Sequence, residues 1–188
     1  MGSSDRSQAM SRARTVRAPL YTPEQRVRRD RTRWTVVQGI LAPVQFLVCL
    51  ISAALVLRFL ATGQGLAAAN LSVVTKTILL YTIMVTGSIW EKVVFDQWLF
   101  AAAFFWEDVV SMGVIALHTF YIVGLSTGSL SSRTLMFVAL AAYATYIVNA
   151  IQFILKLRAA RLMERDMSVA AAVVAPRRPA TPPAEVMA

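Results

Sequence analysis

Apolar residues fall into four long runs, Thr35 to Leu57, Leu71 to Trp90, about Trp98 to Leu125, and Leu135 to Leu155, with charged residues gathered between and beyond them. Each run is near the roughly 20 residues that a helix rising ~1.5 Å per residue needs to cross about 30 Å of hydrocarbon. The pattern predicts an all-α fold, an integral membrane bundle of four transmembrane helices. Ahead of the bundle stands "YTPEQRVRRDRTRW". Thr22 suits an N-cap, Pro23 the first helical position and Gln25 the far side of a capping box. A basic surface helix is therefore expected over 20–34, closed by Trp34 in the headgroup zone. Pro43 removes a backbone donor inside the first run and predicts a kink. Residues 1–19, with Arg6, Arg12, Arg14 and Arg17 among small polar residues, carry no periodicity to bury and are expected to be disordered. The same holds for the Pro/Ala-rich tail, 163–188, which leaves 35–162 as the transmembrane domain.

Composition agrees with the pattern. A chain of 188 residues that is 57% hydrophobic and 15% charged, with a mean hydropathy of +0.58, is too apolar for an ordinary soluble domain. The net charge of +9 invites a nucleic-acid reading, but the basic residues sit mostly in the two terminal regions, where membrane orientation accounts for them. No nucleic-acid partner is expected, and the lipid bilayer is. Arg26, Arg28, Arg29, Arg31 and Arg33 precede the first span, and Lys156, Arg158, Arg161 and Arg165 follow the fourth. Only Arg58 and Lys76 follow the first span, and Arg133 the third, so both termini are expected in the cytoplasm. More than thirty polar residues before the first apolar run argue against a cleaved signal peptide. The single cysteine, Cys49, allows neither a disulfide framework nor a cysteine metal site.

Titratable residues inside or beside the spans mark the candidate chemistry, because charge in hydrocarbon is costly and usually faces a bundle interior. Glu91, Lys92, Asp96, Glu107 and Asp108 cluster between the end of the second span and the start of the third. Aromatic residues surround them, from Trp90 to Trp106, and suit either an interfacial girdle or the wall of a pocket for a flat apolar ligand. At ~100° per residue, positions 107, 111, 114 and 118 share one helix face, so Glu107, Ser111 and His118 should look inward. Glu107 and His118 stand roughly 16 Å apart along the axis, too far for a direct hydrogen bond. Tyr143, Tyr146, Asn149 and Gln152 form a second polar stripe, read either as glue between helices or as ligand contacts. His118 alone suits a packing role, and Lys76 a snorkelling one. Glu107 beside Asp108 resists so plain a reading, since two neighbouring acids in an apolar stretch repel if both ionise.

The stretches "TRWTVVQGILAPVQFLVCLISAALVLRFL", "VVTKTILLYTIMVTGSIWEKVVF", "FFWEDVVSMGVIALHT" and "LAAYATYIVNAIQFILKLRAARL" closely resemble 3-vinyl bacteriochlorophyllide hydratases of anoxygenic phototrophs, over about Leu20 to Leu162. The resemblance implies a hydro-lyase of bacteriochlorophyll biosynthesis in the bacterial inner membrane, cytoplasmic or intracytoplasmic. Its substrate would be chlorophyllide a or the bacteriochlorin counterpart, whose 3-vinyl group becomes 3-(1-hydroxyethyl). It implies no cofactor, the magnesium being the substrate's own. Partners open to it are other pigment-biosynthesis enzymes and a second copy of the chain.

No residue role comes with the resemblance, so the roles follow from chemistry. Protonating the vinyl terminus leaves a cation that the macrocycle delocalises and water captures. Glu107 or Asp108 is the expected acid, and Glu91 the carboxylate that orients water. Lys92 or Lys76 would pair with the substrate's free propionate, Tyr146 and Asn149 would line the site, and His118 is a candidate axial ligand to the substrate magnesium. Two other classes fit parts of the pattern. A pigment carrier or assembly factor would want the aromatic pocket and the histidine without the acids. A small proton-coupled transporter would want Glu107 at mid-membrane, but no internal repeat supports it.

Overall fold

The computed structural model describes residues 19–174; the disorder expected over 1–18 and 175–188 falls outside the described residues. Five helices follow in order: α1 Pro23–Arg31, α2 Arg33–Thr62, α3 Leu66–Phe95, α4 Phe105–Thr127 and α5 Ser132–Val174. There is no strand among the described residues. The four after α1 are long and apolar enough to cross a membrane, so the chain is an all-α, multi-pass membrane bundle with a basic helix at its N-terminal side.

The capping box forms as the residue types require. The Gln25 N–H donates to Thr22 Oγ1 at 3.2 Å, and the Thr22 N–H donates to Gln25 Oε1 at 2.9 Å. The surface helix stops at Arg31, however, and does not reach Trp34. Thr32 is extended (φ −76°, ψ 136°) and accepts the Trp34 N–H on its own hydroxyl, so it caps α2, and Trp34 lies in the first turn of the first span. Thr35 then fastens three helices: its hydroxyl donates to Arg29 O at 2.6 Å and accepts from Trp90 Nε1 at 2.9 Å.

The helix continues through Pro43, and α2 buries Gln45, Cys49, Ser52 and Val56, one face at three-and-four spacing, against α3. The two form an antiparallel hairpin that turns at Gly63 (φ 73°) and Gly65 (φ 85°), where a side chain would be strained. Gln38 Nε2 donates to Thr86 Oγ1 at 2.7 Å, and Ser52 and Ser72 share a hydroxyl hydrogen bond of 2.7 Å. These rungs set the register. A second hairpin joins α4 to α5 through Gly128 (φ 64°); there Gly124 lies so close to Leu130 that a Cβ on it would stand 2.6 Å from Leu130 Cδ1.

Two boundaries differ from the sequence expectation. The third span starts at Phe105 and not at Trp98, because α3 ends at Asp96 in the left-handed region (φ 65°), Phe100 is left-handed too (φ 59°), and residues 96–104 form a connection. Their aromatic character is that of the helices on either side, so hydropathy does not separate them. The last helix also runs past Leu162 to Val174, where disorder was expected from 163. The chain divides into two compact units. One, Leu20–Leu155, holds the surface helix and the bundle; the other includes the end of α5 from Lys156, a helical segment that mixes Arg158, Arg161 and Arg165 with Glu164 and Asp166.

Within the bundle, apolar packing involves Cys49, Val56, Val73, Tyr121, Met136 and Tyr143. In lipid such contacts gain little over contact with acyl chains, and interhelical hydrogen bonds add on average about 0.6 kcal/mol each. One three-hydroxyl cluster links α2, α3 and α5: Ser52 Oγ lies 2.6 Å from Tyr143 Oη and 2.7 Å from Ser72 Oγ. Ser52→Ala and Tyr143→Phe are each expected to lower stability by roughly 0.6–1.7 kcal/mol, and the double variant by less than the sum. Reversible unfolding in mixed detergent measures this; strictly additive losses would show that the cluster does not hold α5 to α2.

Candidate functional site

The acids assemble at the end of the bundle that carries α1 and the 96–104 connection. Glu91 sits in the last turns of α3, and Asp108 in the first turn of α4, with Phe104 as the N-cap of that helix. The connection folds them together, and the Glu91 and Asp108 carboxyls meet side chain to side chain in a hydrogen bond. Two carboxyl groups this close repel if both ionise, so the pair is suited to holding one proton between them. Backbone amides clasp the outer oxygens. The Phe100 N–H donates to Asp108 Oδ2 at 2.9 Å, and the Ala101 N–H donates to Glu91 Oε2 at 3.2 Å. The α4 N-terminus adds a positive dipole end beside Asp108 and Glu107. All three acids are buried.

Aromatic rings close this end. Phe104 packs on Tyr21, Trp90, Phe95 and Phe153, with ring centroids 5.6–6.5 Å apart. Trp98 and Trp106 point outward, 61% and 70% exposed. The aromatic stretch therefore divides: Trp90, Phe95 and Phe104 pack on one another at this end of the bundle, while Trp98 and Trp106 suit an interfacial girdle.

The face predicted on α4 is buried as expected, with Glu107, Ser111, Val114 and His118 all inside. Ser111 Oγ donates to Glu107 O at 2.9 Å and accepts from Asn149 Nδ2 at 2.7 Å. The Asn149 amide is thus engaged between helices. His118 lies deeper and is wholly buried; its Nδ1 bonds Val114 O at 2.8 Å, and its Nε2 has no hydrogen-bond partner among the described residues. Because a carbonyl only accepts, Nδ1 carries the hydrogen and Nε2 presents a lone pair. The Tyr143 ring lies beside it at 5.9 Å.

The two lysines differ most from expectation. Lys76 does not snorkel: it is 0% exposed, its ammonium donates to Gln45 Oε1, and it lies 3.6 Å from the Tyr146 ring centre. Lys92 is at the surface and paired, donating to Asp96 Oδ1 at 2.6 Å and to the Asp96 carbonyl at 3.1 Å. This hydrogen bond and the Lys92 charge hold the Asp96 carboxyl below the usual carboxylate range. Of the residues read from the sequence, the fold joins Glu91 with Asp108, Asn149 with the Glu107–Ser111 turn, and Lys76 with Tyr146. It leaves Lys92 outside these groups. Sequence reasoning missed Gln45 and the Phe100 and Ala101 amides. A lone amide in the apolar run from Ile40 to Leu57 was a usable signal for Gln45; nothing in a sequence marks a backbone N–H.

The chain is similar to proteins of one family along most of its length. The family model described as 2-vinyl bacteriochlorophyllide hydratase matches residues 21–159. A protein of Cereibacter sphaeroides named 2-vinyl bacteriochlorophyllide hydratase is 67% identical over 151 residues, covering 80% of this chain and 92% of that one. A protein of the same name from Rhodobacter capsulatus is 64% identical over 146 residues, 78% of this chain and 85% of its own. No solved structure matches. With the family matched from the surface helix into α5, and two relatives this similar along most of both chains, the chain belongs to the 2-vinyl bacteriochlorophyllide hydratase family.

Proposed function

We propose that this chain hydrates the vinyl substituent of chlorophyllide a or its bacteriochlorin counterpart, and that the Glu91–Asp108 carboxyl pair supplies the proton. The substituent is numbered 2 in the family name and 3 in the ring numbering used above. The observation that carries the mechanism is the meeting of these two acids beneath the 96–104 connection. The proton passes to the terminal vinyl carbon, which becomes a methyl group, and the π electrons form the new C–H bond. The macrocycle spreads the resulting positive charge. Water adds to the inner carbon and gives up one proton to a carboxylate, so the net change is one water added and the pair is restored. Glu107, one residue before Asp108 on the inward face, is a third acid that can relay that proton back to the pair. This arrangement changes the assignment expected from sequence, in which Glu91 served water alone.

The pair is buried, so substrate reaches it when the 96–104 connection swings aside. Two left-handed non-glycine residues, Asp96 and Phe100, strain that segment by about 1–3 kcal/mol each, which lowers the cost of releasing it. His118 stands roughly 16 Å along α4 from Glu107, more than the centre-to-rim distance of a chlorin. In this reading His118 does not ligate the magnesium of a macrocycle whose vinyl group is at the acids. No organic cofactor or protein-bound metal takes part. A transporter would want its carboxylate at mid-membrane, whereas these acids sit at one end of the bundle.

Both termini lie on the cytoplasmic face of the inner membrane, supported by the basic residues of α1 and those that begin at Lys156. The Tyr21 ring stacks on Phe95, which puts the acid end on the same side as α1. The site then draws water and protons from the cytoplasm. Reporter fusions at each terminus should read cytoplasmic, and a periplasmic reading at either end would overturn the orientation.

Purified protein in lipid nanodiscs, without nucleotide or added metal, should convert chlorophyllide a to a product heavier by one water. In deuterated water one carbon-bound deuteron should appear in the new methyl group. Asp108→Asn and Glu91→Gln should each lower kcat by about 10²–10⁴ with pigment binding largely kept, since an amide keeps shape and polarity but has no comparably acidic proton. Near-normal rates in both variants would make the pair a structural clasp for the connection.

A further inference from the structure

Lys76 is a buried cation in the middle of a transmembrane helix. A lysine at the centre of a spanning helix costs about 2.5–3.5 kcal/mol on insertion scales, and one near a span end normally escapes to the interface. Lys76 does neither: its ammonium turns inward to Gln45 Oε1 and the face of Tyr146. Both contacts are neutral. No carboxylate among the described residues stands within ion-pair distance of it. Gln45 is wholly buried as well, and with Oε1 given to the ammonium its Nε2 has no acceptor among the described residues. An ammonium and an amide NH₂ held together, both donors and neither matched by an anion, suit the two oxygens of a carboxylate.

Register places this pair relative to the acids. Gln38 meets Thr86 and Ser52 meets Ser72, so Gln45, midway between these rungs on α2, stands opposite residue 79 on α3. By reaching Gln45, the Lys76 ammonium is carried about one turn toward Glu91 from its own Cα. The Lys76 and Glu91 Cα atoms are about 22 Å apart along α3. The lysine stem and the Glu91 side chain close part of that gap, leaving a distance on the scale of a macrocycle with a propionate arm.

We infer that Lys76 and Gln45 form the subsite for the free carboxylate of the pigment, holding the propionate arm in the bundle interior while the vinyl group lies at the acid pair. The inference rests on the function proposed above for its ligand. It selects between the two lysines that the sequence offered: Lys92 is at the surface and neutralised by Asp96, whereas Lys76 is desolvated and lacks an anion. A carboxylate bound there supplies the missing counter-charge, and an ester of the same pigment does not. The subsite therefore separates the acid from its esters.

Binding of chlorophyllide a and of its methyl ester to the protein in nanodiscs, followed by pigment fluorescence, tests this without requiring turnover. The wild-type chain should prefer the acid by roughly 30-fold or more, the scale on which one member of a buried charge pair matters. Lys76→Met should remove that preference by bringing the acid down to the ester. Gln45→Glu gives Lys76 an internal carboxylate of nearly the same shape; it should do the same while keeping the lysine satisfied, so it decides the matter if the Met variant does not fold. Equal binding of acid and ester by the wild type, or a preference that survives Gln45→Glu, would overturn the subsite. Acid preference lost on substitution, with no hydrated product in any assay, would leave the subsite standing and remove the proposed reaction.

Discussion

Hydrocarbon offers no hydrogen bond, so every polar group the bundle keeps inside must be met by its own helix, by another helix or by a ligand. The rest of the structure depends on this constraint. Leucine against leucine is hardly better than leucine against lipid, so apolar packing alone does not decide which faces meet. The polar rungs decide it: Gln38 with Thr86, Ser52 with Ser72 and Tyr143, Asn149 with Ser111, and Tyr121 with Asn70. The Ser52 cluster joins three helices and each of the others two, and together they form a seam through the bundle interior.

The acid end applies the same rule to groups that are harder to satisfy. A lone carboxylate there would be prohibitive, and two ionised ones worse. Sharing a proton removes one charge, the Phe100 and Ala101 amides serve the remaining lone pairs, and the start of α4 contributes its dipole. The connection bends into left-handed conformations at Asp96 and Phe100 as it brings those amides inward. Backbone strain, buried acids and packed rings are therefore parts of one arrangement, in which a proton is kept away from bulk water at the membrane boundary.

Much of this was legible in the sequence wherever local chemistry sufficed. The Thr22 capping box, the four spans and the inward face through Glu107, Ser111 and His118 follow from spacing and side-chain type, and the fold agrees. The start of α4 was not legible, because Trp98 to Phe104 are as apolar as a helix, and what holds them as a connection is a pair of backbone amides bonded to Glu91 and Asp108, which side-chain type does not mark. The pairing of those two acids depends on the same turn: neighbours in sequence, Glu107 and Asp108 drew attention, yet the partner across the connection is Glu91. Lys76 was misread because a lysine's usual behaviour in a membrane is to reach for water. Only the α2–α3 register, which brings Gln45 within reach, shows that it turns inward.

That register also separates structural polar groups from the others. Tyr143 is hydrogen-bonded to Ser52 on a neighbouring helix, and the Asn149 Nδ2 group donates to Ser111, contacts accounted for by holding α5 in place, although Asn149 Oδ1 has no partner among the described residues. Lys76, the amide nitrogen of Gln45 and Nε2 of His118 are as deeply buried, but their charge or hydrogen-bonding capacity goes unmatched among the described residues. A bundle selected for stability alone would hold apolar side chains at such positions, since a well-packed hydrophobic replacement for a buried charge is commonly neutral or stabilising. Retaining a cation there is sensible if the bundle spends part of its working cycle around something that completes it. On the function proposed, the acids at one end and the Lys76 and Gln45 donors roughly half a bundle away would meet the two ends of one elongated, amphiphilic molecule.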